Sequence, residues 1–260
     1  KNEFDDGGNI EMAGGFSRTG FGGSIIMRSG YGMDSSSGIF DIATANAGKE
    51  GVSGHISMFT GTTSEGSSGH VRIETGVANK GRGGFFHVLV GTGNSGTGGD
   101  VKLTAGKTLD SQSGGMVTIS TGSSTATSSG NFLMRTPNAG VRGDSGSFSL
   151  STGHATQGSS GSYSLRTGTA TTGKGGFVEM IVGHGNSGDG GHVTITAGET
   201  KANAKKGGNV SITAGLGSSI ASADGGNGGD MFFTAGESQG SHPTFDIGGK
   251  INMYAGKSAF

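Results

Sequence analysis

Large apolar side chains recur at alternate positions of short segments along this chain, and each segment opens on a glycine. Sixteen such units start at Gly8, Gly23, Gly38, Gly54, Gly69, Gly84, Gly99, Gly115, Gly130, Gly146, Gly161, Gly176, Gly191, Gly208, Gly229 and Gly249. The spacing is 15 or 16 residues as far as Gly191 and then stretches to 17, 21 and 20. Self-similarity at a fixed period is the mark of a solenoid or array. The second residue after each anchor glycine is apolar, as in Ile25, Phe40, Ile56, Val71, Phe86, Val101, Val117 and Phe132. The fourth behaves alike, from Met27, Ile42 and Met58 to Met253, and the sixth is small or β-branched, as in Thr44, Thr60, Val90 and Ala105. A period of two predicts an extended strand with positions two, four and six on one face, and the β-branched and aromatic residues agree.

Between these segments lie about eight residues of Gly, Ser, Thr, Asn and Ala, such as GTTSEGSS from Gly61 and GHATQGSS from Gly153. Their glycines permit the tight turns that would connect strands. No segment carries a helical period.

A longer period suggests how the strands are arranged. Gly38, Gly84, Gly130 and Gly176 are each 46 residues apart, and Phe40, Phe86, Phe132 and Val178 follow at the second position. Residues 61–122 also resemble residues 153–215 at a shift of 92, as GFFHVLVGTGNSGTGGDVKLTAG from Gly84 and GFVEMIVGHGNSGDGGHVTITAG from Gly176 show. The expected fold is all-β, a triangular parallel β-solenoid (β-helix) with about 46 residues and three strands per turn. Like residues would then stack in ladders about 4.8 Å apart. The competing arrangement is a thin solenoid with one unit per turn, about 75 Å long rather than about 25 Å. The expectation is a single repeat domain over 1–260. Lys1 in place of a methionine, the lack of a signal-like apolar segment and the missing polar cap after Gly249 read as part of a longer chain or filament.

One series of segments breaks the polar pattern on its second face. Ile39, Phe85, Leu89, Leu133, Phe177, Ile181 and Phe232 stand at outward positions where other segments carry Arg72, Glu74, Thr194 or Thr196. A sheet apolar on both faces is a covered sheet, and an exposed patch of that kind marks a contact site. These seven residues are the expected assembly face, with another copy or a sister subunit as partner; the alternative is that the long linkers fold back over them within the chain.

Composition narrows the chemistry. Of 260 residues 59 are glycine, two are proline and none is cysteine or tryptophan, and 30 % are hydrophobic. Two prolines and no glycine at every third position exclude collagen. Disorder is the main competitor of the ordered reading at this hydrophobic content. A net charge of −1 gives no field for a nucleic-acid partner, and no apolar run approaches the length that spans a bilayer. His55, His70 and His192 have no carboxylate at ligand spacing, and Asp41, Asp100 and Glu179 are isolated from one another. Neither a zinc site nor a clustered acid pair follows, so no enzyme, cofactor or metal is expected. One match to the calcium-roll nonapeptide, Gly225 to Phe233, is a single copy, and such sites need consecutive copies. Asn209 opens the N-x-S/T tripeptide of the chain and is the candidate acceptor for a covalent glycan.

The units GGDVKLTAG from Gly98, GGHVTITAG from Gly190 and GGNVSITAG from Gly207 resemble the Gly/Ser-rich repeats of large surface proteins in diatoms and related stramenopile algae, including flagellar-hair (mastigoneme) proteins. That resemblance implies an extracellular, glycosylated fibre component. The functional expectation is thus a structural subunit of an extracellular filament, fibre or surface coat. The alternative is a monomeric solenoid that binds carbohydrate or ice, although Arg28, Lys102, Arg72 and Arg166 interrupt the Thr ranks that ice binding needs.

Overall fold

A computed structural model describes residues 7–257. The expected parallel β-solenoid is not formed: among the described residues there is neither strand nor helix. Phe40, Phe86 and Phe132, expected to stack inside a shared core, are each more than half exposed, and no described side chain is buried. The chain divides into two units, Lys1–Phe132 and Leu133–Phe260.

What forms instead is a series of extended arms separated by bends. One bend or turn lies between every successive pair of anchor glycines, for example at residues 33–35, 64–66 and 94–96 in the first unit. In the second unit bends fall at 156–158 and 186–188, and between Gly229 and Gly249 a turn at 243–245 takes the place of one. The repeat read from the sequence therefore does punctuate the backbone. Within the arms, side chains two residues apart share a side, as extended backbone requires. Arg72 pairs with Glu74 across that interval, and Lys102 pairs with Asp100 at 3.4 Å. The two faces remain distinct as well. In the Gly84 arm Phe85 and Leu89 are 82 % and 79 % exposed, whereas Phe86 and Val88 are 66 % and 60 % exposed and Val90 only 40 %.

The feature that fixes the local geometry is a contact between each anchor glycine and the sixth residue of the arm before it. A Cβ placed on Gly69 would touch Thr60 Cγ2 at 3.3 Å, and one on Gly161 would touch Thr152 Cβ and Cγ2 at 3.3 Å. At Gly99 and Gly191 the Cγ1 atoms of Val90 and Val182 stand nearer still, at 2.8 and 2.6 Å, which only glycine accommodates. Each linker is thus a loop whose two ends meet, and its glycines supply the reversal. Gly96 and Gly188, equivalent positions in the two units, take φ of 77° and 81°.

The sixth residue also decides how the loop closes. Where it is Gly14, Ser29 or Ala105, the next anchor N–H donates to the glycine carbonyl that ends the arm: Gly23 to Gly15 at 2.7 Å, Gly38 to Gly30 at 2.9 Å, Gly115 to Gly106 at 2.9 Å. Ala197, Ala214 and Ala235 give the same closure in the second unit, Gly208 to Gly198, Gly229 to Gly215 and Gly249 to Gly236. Where the residue is Thr44, Thr60, Thr75, Thr136, Thr152, Thr167, Val90 or Val182, this bond is absent and a γ-carbon faces the anchor. The γ-methyl wedges the two glycine backbones apart. Thr60 and Thr167 replace the lost bond in part, their hydroxyls donating to the carbonyls of Gly69 and Gly176 at 3.3 and 3.4 Å. Thr121 closes in the first manner, and the nearest of its atoms to a Cβ on Gly130 is its own Cβ, at 3.6 Å, with no γ-carbon among the three closest atoms. Loop length does not set the outcome, because the bonded loops run from Gly15 to Gly23 and from Gly215 to Gly229 alike.

The solenoid fails for a related reason. Each unit supplies three inward side chains, often with a Thr or Ala as the third, against about fifteen residues of Gly-rich backbone. Ordering that backbone is costly, and glycine loses the most freedom. The loop contact holds arm ends together, but among the described residues no series of backbone hydrogen bonds joins one arm to another along its length. The arm N–H and C=O groups are left to water, and no ladder follows.

The closure rule yields a direct test. Ala105→Val should open the Gly115 to Gly106 bond, and Thr152→Ala should create one from Gly161 to Gly153. Amide exchange of Gly115 should speed up about fivefold, as loss of a bond worth about 1 kcal/mol implies, while that of Gly161 slows. Unchanged rates at both glycines would remove the side chain at position six from the explanation.

Candidate assembly surface

The seven residues expected to form the assembly face all lie on extended arms and are all well exposed. Ile39, Phe85 and Leu89 belong to the first unit, and Leu133, Phe177, Ile181 and Phe232 to the second. No sheet joins them among the described residues, and they are carried by five arms, those that start at Gly38, Gly84, Gly130, Gly176 and Gly229.

Two arms stand apart from the rest. The Gly84 arm carries Phe85 and Leu89 on its outer side, and the Gly176 arm carries Phe177 and Ile181, so both are apolar at the first and fifth positions. Their inner sides are apolar too, with Phe86, Val88 and Val90 in one and Val178, Met180 and Val182 in the other. One such arm occurs in each unit, and the two are built alike. Val90 and Val182 each press on the next anchor glycine, Gly96 and Gly188 each turn with positive φ, and Phe177 is as open as its counterpart. Between the outer apolar pair stands His87 in the first arm and Glu179 in the second.

The inner residues belong to this surface as well, which the alternating pattern alone concealed. Phe86 and Val178 were expected to face a core, yet both are more than half exposed. The signal that could have found them is the amount of glycine, which leaves too little apolar surface per unit to close a core. The magnitude is plain. The 25.5 kDa chain has a solvent-accessible surface of 27452 Å². A compact monomer of that mass exposes about 10,000 Å² and an extended chain about 37,000 Å².

Other chemistry is sparse. Among the described residues no group of three or more His, Asp or Glu side chains could hold a metal ion, and no helix is long and apolar enough to cross a membrane. A depression of about 270 Å³ is lined by Arg135, Thr136, Pro137 and Asn138, four successive residues where the Gly130 arm runs into its linker. Such a lining brings no distant groups together on a substrate. His242 shapes a local turn: its N–H donates to the Asp246 carboxylate at 2.6 Å, its carbonyl accepts from the Asp246 N–H at 3.1 Å, and its ring lies 4.5 Å from that of Phe245. Asn209 stands exposed at the start of the Gly208 arm. No protein-family model, curated protein or solved structure matches the chain.

Methionine oxidation reads this surface residue by residue. Met27, Met58, Met134, Met180 and Met231 sit on inner positions, and Met33 and Met116 do not, yet all are exposed. In dilute solution peroxide should oxidise all seven within about a factor of three of one another, since thioether access sets the rate. Protection of the inner set alone would reveal a core that the structure lacks.

Proposed function

We propose that this chain is a structural subunit that associates with copies of itself to build an extracellular filament, fibre or surface coat. The observation that carries the reading is that no described side chain is buried, although apolar side chains line both sides of the Gly84 and Gly176 arms. Exposed apolar surface on this scale is the usual mark of a contact site. The backbone offers a second means of association. Extended arms with unpaired N–H and C=O groups are open to strand addition from another chain. Any such pairing is a property of the assembly and not of the isolated chain.

Size separates fibre from dimer. The surface exceeds that of a compact monomer by roughly 17,000 Å², about ten times a standard protein interface, so a single pairwise contact leaves most of it uncovered. More than one neighbour is needed, and the chain carries one doubly apolar arm in each unit. The resemblance of GGDVKLTAG and its sister units to algal surface-protein repeats supports the extracellular location, and the absence of cysteine removes any need for disulfide chemistry there. In this reading Asn209 is the acceptor for an N-linked glycan. A monomeric adhesive or ice-binding role needs a fixed flat array of side chains, and no sheet among the described residues provides one.

Negative-stain electron microscopy of purified protein provides the test. The unaltered chain should give fibres or sheets, and the F85S/F177S variant should give none while keeping its loop-closing hydrogen bonds. Equal fibre yield from both proteins would show that the apolar arms do not drive assembly.

A further inference from the structure

The self-association proposed above leaves open which part of one copy meets which part of the next. We infer that the chain joins head to tail: the Gly84 arm of one copy takes the Gly176 arm of another. The inference rests on that reading and adds direction and valency to it.

Three observations carry it. The two arms are structural equivalents, one in each unit, so every chain bears two sites of the same kind. Both present an apolar residue at positions one and five of the outer side, and both are open at each of them. The residue between those two apolar groups differs in a complementary way, His87 in the first arm and Glu179 in the second.

When two such arms lie side by side in register, position three meets position three whichever way the arms run. The unlike pairing sets His87 beside Glu179, where an imidazole N–H can donate to the carboxylate. It also sets Phe85 and Leu89 beside Phe177 and Ile181. Pairing of like arms would set Glu179 against Glu179 in half of the contacts, and like charges directly opposite are destabilising. The unlike pairing is therefore favoured, and it has a consequence for growth. A heterologous contact uses one site of each partner and leaves the other free, so it propagates into an open fibre unless geometry closes a ring. A like pairing that joined copies through one arm only would stop at the dimer.

Complementation distinguishes the two. F85S/L89S disables the first arm and F177S/I181S the second, and both changes fall on exposed side chains. Analytical ultracentrifugation of the unaltered chain should show open-ended assembly. Each variant alone should remain a monomer, and their equimolar mixture should form a species of twice the 25.5 kDa chain mass. Glu179→Lys in the otherwise unaltered chain should raise the concentration needed for assembly about threefold, and H87E/E179K should restore it. Slowed amide exchange at Gly115 and Gly208 in every variant confirms that the loops are intact. Dimers from either variant alone would establish pairing of like arms and overturn the inference. A mixture that stays monomeric while the unaltered chain assembles would overturn it too. If the unaltered chain itself stays monomeric, self-association fails and takes the head-to-tail contact with it.

Discussion

The anchor glycine of each arm rests on the sixth side chain of the arm before it, and the rest of the chain is suspended from that contact. It brings the two ends of a linker together and turns the backbone into a regular series of closed loops. Whether a γ-carbon of that side chain faces the glycine then selects the closure. Ala105 or Ala197 lets glycine backbones meet and bond, whereas Val90 or Val182 holds them apart. The contact is small, however, and it acts only where arms begin and end. Nothing in it covers the apolar positions along an arm.

That limit explains the energetics. Burial of apolar surface is the main favourable term in folding, and here it is largely unspent within one chain. A Gly-rich backbone adds ordering cost, and ion pairs such as Lys102 with Asp100 are too exposed to offset it. In the proposed assembly the same imbalance would favour association, because an arm set against a neighbour buries an apolar face of each. Repetition multiplies the effect. With one such arm in each unit, the proposed contact could repeat from copy to copy.

Much of the local organisation was legible in the residues. The linkers between anchor glycines each hold a bend or turn, as their glycines suggested, and the period of two survives only as the unequal exposure of Phe85 and Phe86, since the strands and core it predicted are not formed. The 92-residue likeness in sequence is matched by a likeness in structure, with Val90 and Val182 each against the next anchor glycine, although the two solenoid turns it was read as are not formed. The tertiary arrangement was not legible. Alternation states that an arm has two faces, but it does not state what covers them. Phe40, Phe86 and Phe132 at 46-residue intervals are compatible with a stack, and the pattern cannot show whether loops of glycine will hold them in one. The role of residue six was equally hidden, since Ala and Thr both read as small when only the alternation is followed. Of the seven residues assigned to an assembly face, all proved open to solvent, but the common sheet expected to unite them is missing.

Hydrogen exchange compared between dilute and assembled protein measures most directly where the arms find their cover. In dilute solution the arm amides, such as those of residues 85–90 and 177–182, should exchange at nearly unprotected rates. On assembly those same amides should become strongly protected. Strong protection of the arms already present in the dilute monomer would mean that the chain covers itself, and would contradict the account.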